Sequence, residues 1–210
     1  MDTSYETPSG IPSAPGDLTW EVANLFPAQG NWTEEEFLEL PRPHRFELSD
    51  GHLETIPVAT WVHLLISKFL LRAIWAYLDS NDVGHAGPAP LFVRLWDKQI
   101  RQPDIVFCFH EHIHDLTKVQ NGADLVIEIV SPGEENRECD LVKKRKLYAK
   151  AGIREYWIVD AELATISFLA LDGDLYRVAG EYKAGTQATS ILLPGFSVDV
   201  NATFAAAKKT

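Results

Sequence analysis

The sequence predicts an α/β domain in which a mixed central β-sheet is flanked by helices. Three observations predict it. Asp124–Val130 (DLVIEIV) is almost continuously apolar, as a strand covered on both faces should be. A helical segment follows, from about Arg137 to Ala151, and then a β-rich run, Glu155–Asp160 (EYWIVD). Strand, helix and strand in that order set two strands in one sheet with the helix across its face.

The chain has 210 residues, of which 46% are hydrophobic and 23% charged. That composition excludes wholesale disorder. At this size roughly 70% of the unfolded surface can be buried, so no disulfide or metal staple is needed. Residues 1–16 (MDTSYETPSGIPSAPG) are rich in Pro, Gly, Ser and Thr and read as a disordered leader. They carry neither the basic start nor the apolar stretch of a signal peptide. Residues 17–210 read as one domain. Cys108 and Cys139 form no CxxC pair, which fits reduced thiols and a cytoplasmic protein. Cys139 lies near the expected helix start, where a thiol pKa is lowered.

Taken in order, Thr33 is placed to cap a short helix, with Glu36 as its capping-box partner. Phe46-Glu47-Leu48, the turn Ser49-Asp50-Gly51 and His52-Leu53-Glu54 form a hairpin pattern. A helix over Val62–Leu78 is apolar nearly all round and is expected to be covered on most sides. His63, Lys68 and Arg72 interrupt the apolar stretch Trp61–Leu78, so no membrane span is expected. Leu91–Trp96 and Asp104–Phe109 are strand-like. Ser131-Pro132-Gly133 breaks the chain after the central strand, and Gly152 ends the next helix. Thr165–Leu171, a segment near Tyr176 and Ile191–Val200 supply further strands.

Alternation along the central strand turns Val126, Glu128 and Val130 one way and Leu125, Ile127 and Ile129 the other. A lone carboxylate in such a strand is costly unless it is paired, protonated or bound to a metal. Asp104 follows Pro103 at the start of another strand. If the two strands pair, Asp104 and Glu128 meet at one end of the sheet. Two carboxylates with a carbonyl oxygen make a hard oxygen site suited to Mg²⁺ or Mn²⁺.

The helix supplies a cation. Leu141, Lys144, Leu147, Tyr148 and Ala151 form one stripe at helical spacing, so Lys144 alone of the run Lys143-Lys144-Arg145-Lys146 is aimed inward. Its bland alternative is a stem lying along the core edge. A metal held by two carboxylates activates water against a phosphoryl group, and a lysine positions the attack. Net charge is −11, which argues against a simple electrostatic nucleic-acid binder but not against a nucleic-acid enzyme. Arg137–Arg154 holds seven basic residues against two acidic ones. Lys143, Arg145, Lys146 and Lys150 are therefore the expected phosphate-contacting residues.

Pro103-Asp104, Glu128 within DLVIEIVSP, Asp140-Leu141-x-x-Lys144, Tyr148, Gly152 and Glu155–Asp160 together resemble the Uma-type restriction endonuclease family of the PD-(D/E)XK nuclease superfamily. The resemblance extends to Phe46–Gly51, to His63 and to Leu193–Val198, and covers roughly Trp20 to Phe204. It implies a restriction-endonuclease-like core and a divalent-metal site acting on DNA. Asp104 and Glu128 would be metal ligands and Lys144 the catalytic lysine. The superfamily signature E-x-K would place lysine where this chain has Val130, so the lysine is expected from the following helix. Glu47 and His63 match recurrent family positions and are possible additional site members, as is Tyr148, one turn beyond Lys144. A homodimer would suit cutting of two strands.

Two other readings stand beside the endonuclease. One is a catalytically inactive nuclease-fold module that binds nucleic acid or protein. A Lys144–Glu128 separation beyond about 6 Å, one water-bridged step, would favour it. The other is a zinc peptidase through His110, Glu111 and His114, which literally spell H-E-x-x-H. That chemistry needs the outer histidines one helical turn apart, and the flanks do not read as a long buried helix.

Overall fold

A computed structural model describes residues 26–40 and 45–208 of the chain. The expected leader, 1–16, lies outside the described residues. The first element, α1 (Glu34–Glu39), begins as predicted. The Thr33 hydroxyl accepts from Glu36 N at 3.2 Å, and Glu36 Oε2 accepts from Thr33 N at 2.9 Å. The hairpin also forms, from β1 (Phe46–Ser49) and β2 (His52–Thr55). Its two turn residues, Asp50 and Gly51, both have positive φ, 48° and 77°, the turn whose twist matches antiparallel strands. Glycine is doubly required at 51, because a Cβ there would lie 2.5 Å from the Gly30 carbonyl oxygen.

Helix α2 (Trp61–Leu78) buries Ile66, Leu70 and Ile74 against the sheet. The expectation that it is covered on most sides is corrected here. Trp61 is 77% exposed, and Leu64 and Trp75 are also exposed. One apolar stripe suffices to dock a helix on a sheet, so the opposite apolar positions stay open.

Two larger sheets follow. β3 (Gly84–Pro88), β6 (Ile105–Phe109), β8 (Leu125–Ile129), β9 (Glu155–Asp160), β10 (Thr165–Asp172) and β11 (Leu175–Tyr182) make a six-stranded sheet ordered β11-β10-β9-β8-β6-β3. It is mixed: β8 and β9 run parallel and its other neighbours antiparallel. The hairpin joins β4 (Val93–Trp96), β5 (Gln99–Arg101) and β7 (Gln120–Asn121) in a second sheet of five strands, ordered β2-β1-β5-β4-β7. The chain passes from one sheet to the other through Gln102, Pro103 and Asp104.

Strand alternation holds along β8. Leu125, Ile127 and Ile129 pack with Ile66, Leu70 and Trp157, while Val126 and Val130 share the other side with Tyr148, Ala149 and Tyr156. Trp157 is fully buried and stacks on Phe168 with ring centroids 3.8 Å apart.

The helix linking β8 to β9 departs from expectation. It begins at Glu134 and runs as α3 (Glu134–Glu138), a π-helical turn (Cys139–Lys143) and α4 (Lys144–Lys150). Gly152, φ 78°, then ends it as predicted. A widened turn rotates the faces on either side of it. Ala149 enters the core, and the half-exposed Leu147 of the expected stripe does not. The expected strand over Ile191–Val200 is also shorter. The small sheet of β12 (Gln187–Thr189) and β13 (Ser197–Asp199) leads to α5 (Val200–Ala205). Residues 191–196 instead form a turn, because the Glu155 carboxylate takes the Ile191 and Leu192 amides at 3.0 and 2.7 Å.

Candidate active site

Where the sheets meet, a cleft of about 870 Å³ opens between the hairpin, the N-terminal end of α2 and the π turn. Strand pairing supplies its first two acids. Ile105 lies opposite Ile127 and Val106 opposite Val126, which sets Asp104 beside the end of β8. Asp104 Oδ2 accepts from Ile129 N at 2.7 Å, so the side chain is fixed to the strand that carries Glu128.

Glu128 is buried on the side of β8 that faces the helix. Its Oε1 accepts the Tyr148 hydroxyl at 2.6 Å and lies 3.0 Å from Lys144 Nζ. Lys144 also pairs with Asp140 Oδ1 at 3.1 Å. The Glu128 carboxyl is pushed up to about 8, first by burial and then by Asp104 and Asp140, against the opposing pull of Lys144. Burial likewise raises Asp140, against the pull of Lys144. Burial disfavours the Lys144 ammonium, but Glu128, Asp140 and Glu47 outweigh it and hold the amine well above its ordinary range. Burial and the charge of Glu128 keep Tyr148 protonated, so its hydroxyl remains a donor.

Two further residues complete the arrangement. Glu47, buried on β1, accepts from Gln102 N at 2.7 Å and from the buried Arg101 guanidinium at 2.9 Å. Burial opposes its ionisation, yet Lys144 and Arg101 outweigh burial and hold Glu47 below the usual carboxylate range. It therefore ties down the segment that delivers Asp104. His63, in the first turn of α2, places Nε2 2.9 Å from Asp104 Oδ2. Burial opposes protonation of the ring, but the hydrogen bond and charge of Asp104 prevail and raise its pKa.

Divalent-cation chemistry can be tested on the donors present. Asp104 Oδ1 and Glu128 Oε2 take no hydrogen bond from a described residue, and both side chains line the cleft. Among the described residues no three of His, Cys, Asp and Glu form a ready cage. Two carboxylates are what Mg²⁺ commonly uses, with waters and substrate phosphates filling its other positions. The donor set therefore fits. Carboxylates dominate the cleft: Glu47, Glu54, Asp104, Glu128 and Asp140 line it with Arg45 and Lys144 as the permanent cations.

The sequence profile of the family described as "Putative restriction endonuclease", Uma2, matches residues 34–201. The chain belongs to this family. The Uma2 assignment spans both larger sheets and every residue of the cluster. The crystal structure of a putative nuclease belonging to DUF820 from Anabaena variabilis matches with a TM-score of 0.68 at 17% sequence identity. The match covers 84% of this chain and 99% of that one, a likeness of fold. No curated protein matches.

Of the expected site residues, Asp104, Glu128, Lys144, Glu47, His63 and Tyr148 converge in this Uma2-family chain. The expected phosphate-contacting residues do not join them. Arg145 donates to the Tyr176 carbonyl at 2.8 Å, tying the helix to β11. The Lys150 amine sits 4.2 Å from the centre of the Trp96 ring. Lys143 and Lys146 are exposed and do not line the cleft. Helical spacing spreads a basic run around the axis, so one residue of it enters the site. Cys139 also differs from expectation. It lies in the π turn, and burial raises its thiol pKa instead of lowering it.

His110, Glu111 and His112 form a short 3₁₀ turn. His110 pairs with Asp82 at 2.8 Å and His112 with Asp124 at 2.9 Å. The α-helical register a zinc peptidase requires is missing, which removes that reading. The residues not singled out as site members are Asp140 and Arg101. Asp140 had a signal, since it stands four residues before Lys144.

Proposed function

We propose that the protein is a metal-dependent endonuclease that hydrolyses DNA phosphodiester bonds. One observation carries this reading: Asp104, Glu128 and Lys144, from a loop, a strand and a helix, converge in one cleft. The Lys144–Glu128 distance of 3.0 Å is half the separation that would have favoured a non-cutting module. When bound, Mg²⁺ or Mn²⁺ supplies Lewis acidity at a phosphoryl oxygen and lowers the pKa of a coordinated water.

Asp104 Oδ1 and Glu128 Oε2 are the oxygens free to hold that cation. Tyr148 and Lys144 fix Glu128 through its other oxygen, so the ligand does not swing. The Lys144 ammonium, steadied by Asp140, orients the attacking water and stabilises charge developing on the phosphoryl oxygens. Glu47 and His63 hold Asp104 in place, one through Gln102 and the other directly.

The test is cleavage of supercoiled plasmid DNA with Mg²⁺, with Mn²⁺ and with EDTA. Wild-type protein should nick or linearise DNA with either metal and not with EDTA. Asp104→Asn keeps the hydrogen bonds of Asp104 yet removes its charge, and should bind Mn²⁺ at least tenfold more weakly by calorimetry. Cutting that persists in Asp104→Asn and in Lys144→Ala removes these residues from the mechanism.

A further inference from the structure

The outer face of α2 carries features that the catalytic cluster leaves unexplained. Leu64 lines the cleft, and its neighbour Leu65 lines a separate groove of about 470 Å³. Helix α2 is thus the wall shared by the two depressions. The second groove lies between α2 and Ala206 at the end of α5, and Lys68 and Arg72 line it. Both are exposed, and neither has an ion-pair partner among the described residues. Like charges four apart on a helix repel, so this pair lowers helix stability by a small amount with nothing local to offset it. Trp61, 77% exposed, stands in the first turn of the same helix, two residues before His63. Trp61, Leu64, Lys68, Arg72 and Trp75 recur at helical spacing and are all exposed.

We infer that this face of α2 is the track along which a nucleic-acid strand leaves the cleft, with Lys68 and Arg72 on phosphates and Trp61 stacked on a base. The inference rests on the nuclease reading and adds where the substrate lies. Two arguments select this occupant. The first is charge: Lys68 and Arg72, without an ion-pair partner among the described residues, stand one turn apart, about 6 Å along the axis, on a protein of net charge −11. The second is continuity, because α2 also delivers His63 and Leu64 to the cleft. An exposed tryptophan on the same helix face as exposed cations, two turns away, fits the pattern by which single strands are held without reading sequence. The exposed side of the π turn and α4, where Lys143 and Lys146 lie, is the competing surface.

The experiment measures binding of labelled single-stranded and duplex DNA by fluorescence anisotropy across a salt series, without Mg²⁺ so that nothing is cut. Lys68→Gln/Arg72→Gln should weaken binding and reduce the slope of log Kd against log salt by about one for each lost contact. Trp61→Ala should weaken single-strand binding about tenfold, and Trp61→Phe should restore most of it. Circular dichroism checks that these surface variants stay folded. The inference is overturned if the α2 double variant binds as wild type does while Lys143→Gln/Lys146→Gln loses affinity. It also falls if the α2 variants abolish a concentration-dependent dimer and leave DNA binding unchanged, which would make the face a contact between copies. DNA binding through α2 without any cleavage would sink the nuclease reading and keep this surface. Cleavage with an unchanged KM in the double variant would do the reverse.

Discussion

Lys144 and Glu128 meet across 3.0 Å at the floor of the cleft, one from a helix and the other from the central strand. Asp140 lies 3.1 Å from the same amine, so one ammonium is shared by two buried acidic side chains. The π turn that contains Asp140 ends where α4 begins at Lys144, and the next turn of α4 brings Tyr148 to the Glu128 carboxylate.

Removing the amine strands both acids, and breaking a buried pair typically costs about 3–5 kcal/mol. Lys144→Ala is therefore expected to lose plasmid cleavage by about 10²–10³-fold and to melt roughly 6–12 °C lower without metal. Mg²⁺ should raise the melting temperature of the variant more than that of wild type, because a cation replaces the missing positive charge. Differential scanning fluorimetry reads both shifts. Equal melting temperatures would contradict the pairing.

The pH dependence of stability follows from Glu128. Its carboxyl titrates near 8 in the fold against an ordinary 4.5. Between those values the folded chain keeps a proton that the unfolded chain has released. The contribution of Glu128 is thus fully present below about 4.5 and is lost as pH rises through 8. His63, raised from 6.5, acts in the same direction over a higher window, so the comparison must isolate Glu128. Without metal, wild type should lose stability from pH 5 to 8 relative to Glu128→Gln, which cannot titrate. Mg²⁺ should bind more tightly as pH rises over this range, since it displaces the proton. Parallel melting curves for the two proteins would count against a raised carboxyl.

Tyr148→Phe separates positioning from packing. The hydroxyl donates 2.6 Å to Glu128 Oε1, and the ring is fully buried. Phenylalanine fills the same space but removes a hydrogen bond to the ionised form of Glu128. That bond is worth about 1.5–3 kcal/mol. The acidic limb of the cleavage rate against pH should move up by about one to two units, each unit being about 1.4 kcal/mol. An unchanged rate with an unmoved limb would mean that Tyr148 only packs.

Much of this site is legible from strand periodicity. A period of two turns Glu128 away from Leu125, Ile127 and Ile129 whatever the neighbouring strands are, and Pro103 marks where the strand after Asp104 starts. The π turn is not legible, because the shift of each carbonyl's partner from i+4 to i+5 is favoured by tertiary packing and carries no residue signature of its own. Its consequence, Ala149 replacing Leu147 in the core, was therefore hidden. The open face of α2 was hidden for another reason. Apolar composition says that a helix can be covered, while the number of elements packed on it decides whether it is. Arg145 shows the same limit, since nothing in a basic run tells which member will meet a carbonyl of β11.

The last prediction concerns Glu155, which resembles Glu128 in burial but not in its surroundings. Its carboxylate accepts the Trp157 indole at 2.5 Å, the Ser190 hydroxyl at 2.8 Å and the Ile191 and Leu192 amides at 3.0 and 2.7 Å. Four donors converge on it, and none of the bonds leads to the cleft. Glu155→Ala should destabilise the protein by about 3–5 kcal/mol in urea, because buried donors lose a charged acceptor. Glu155→Gln should recover little of this, since its amide group would face the indole and hydroxyl or the two backbone donors without accepting from them. Mg²⁺ binding per folded molecule should be unchanged in both variants. A loss of metal affinity at full folding would mean that the turn over residues 191–196 reaches the cleft after all.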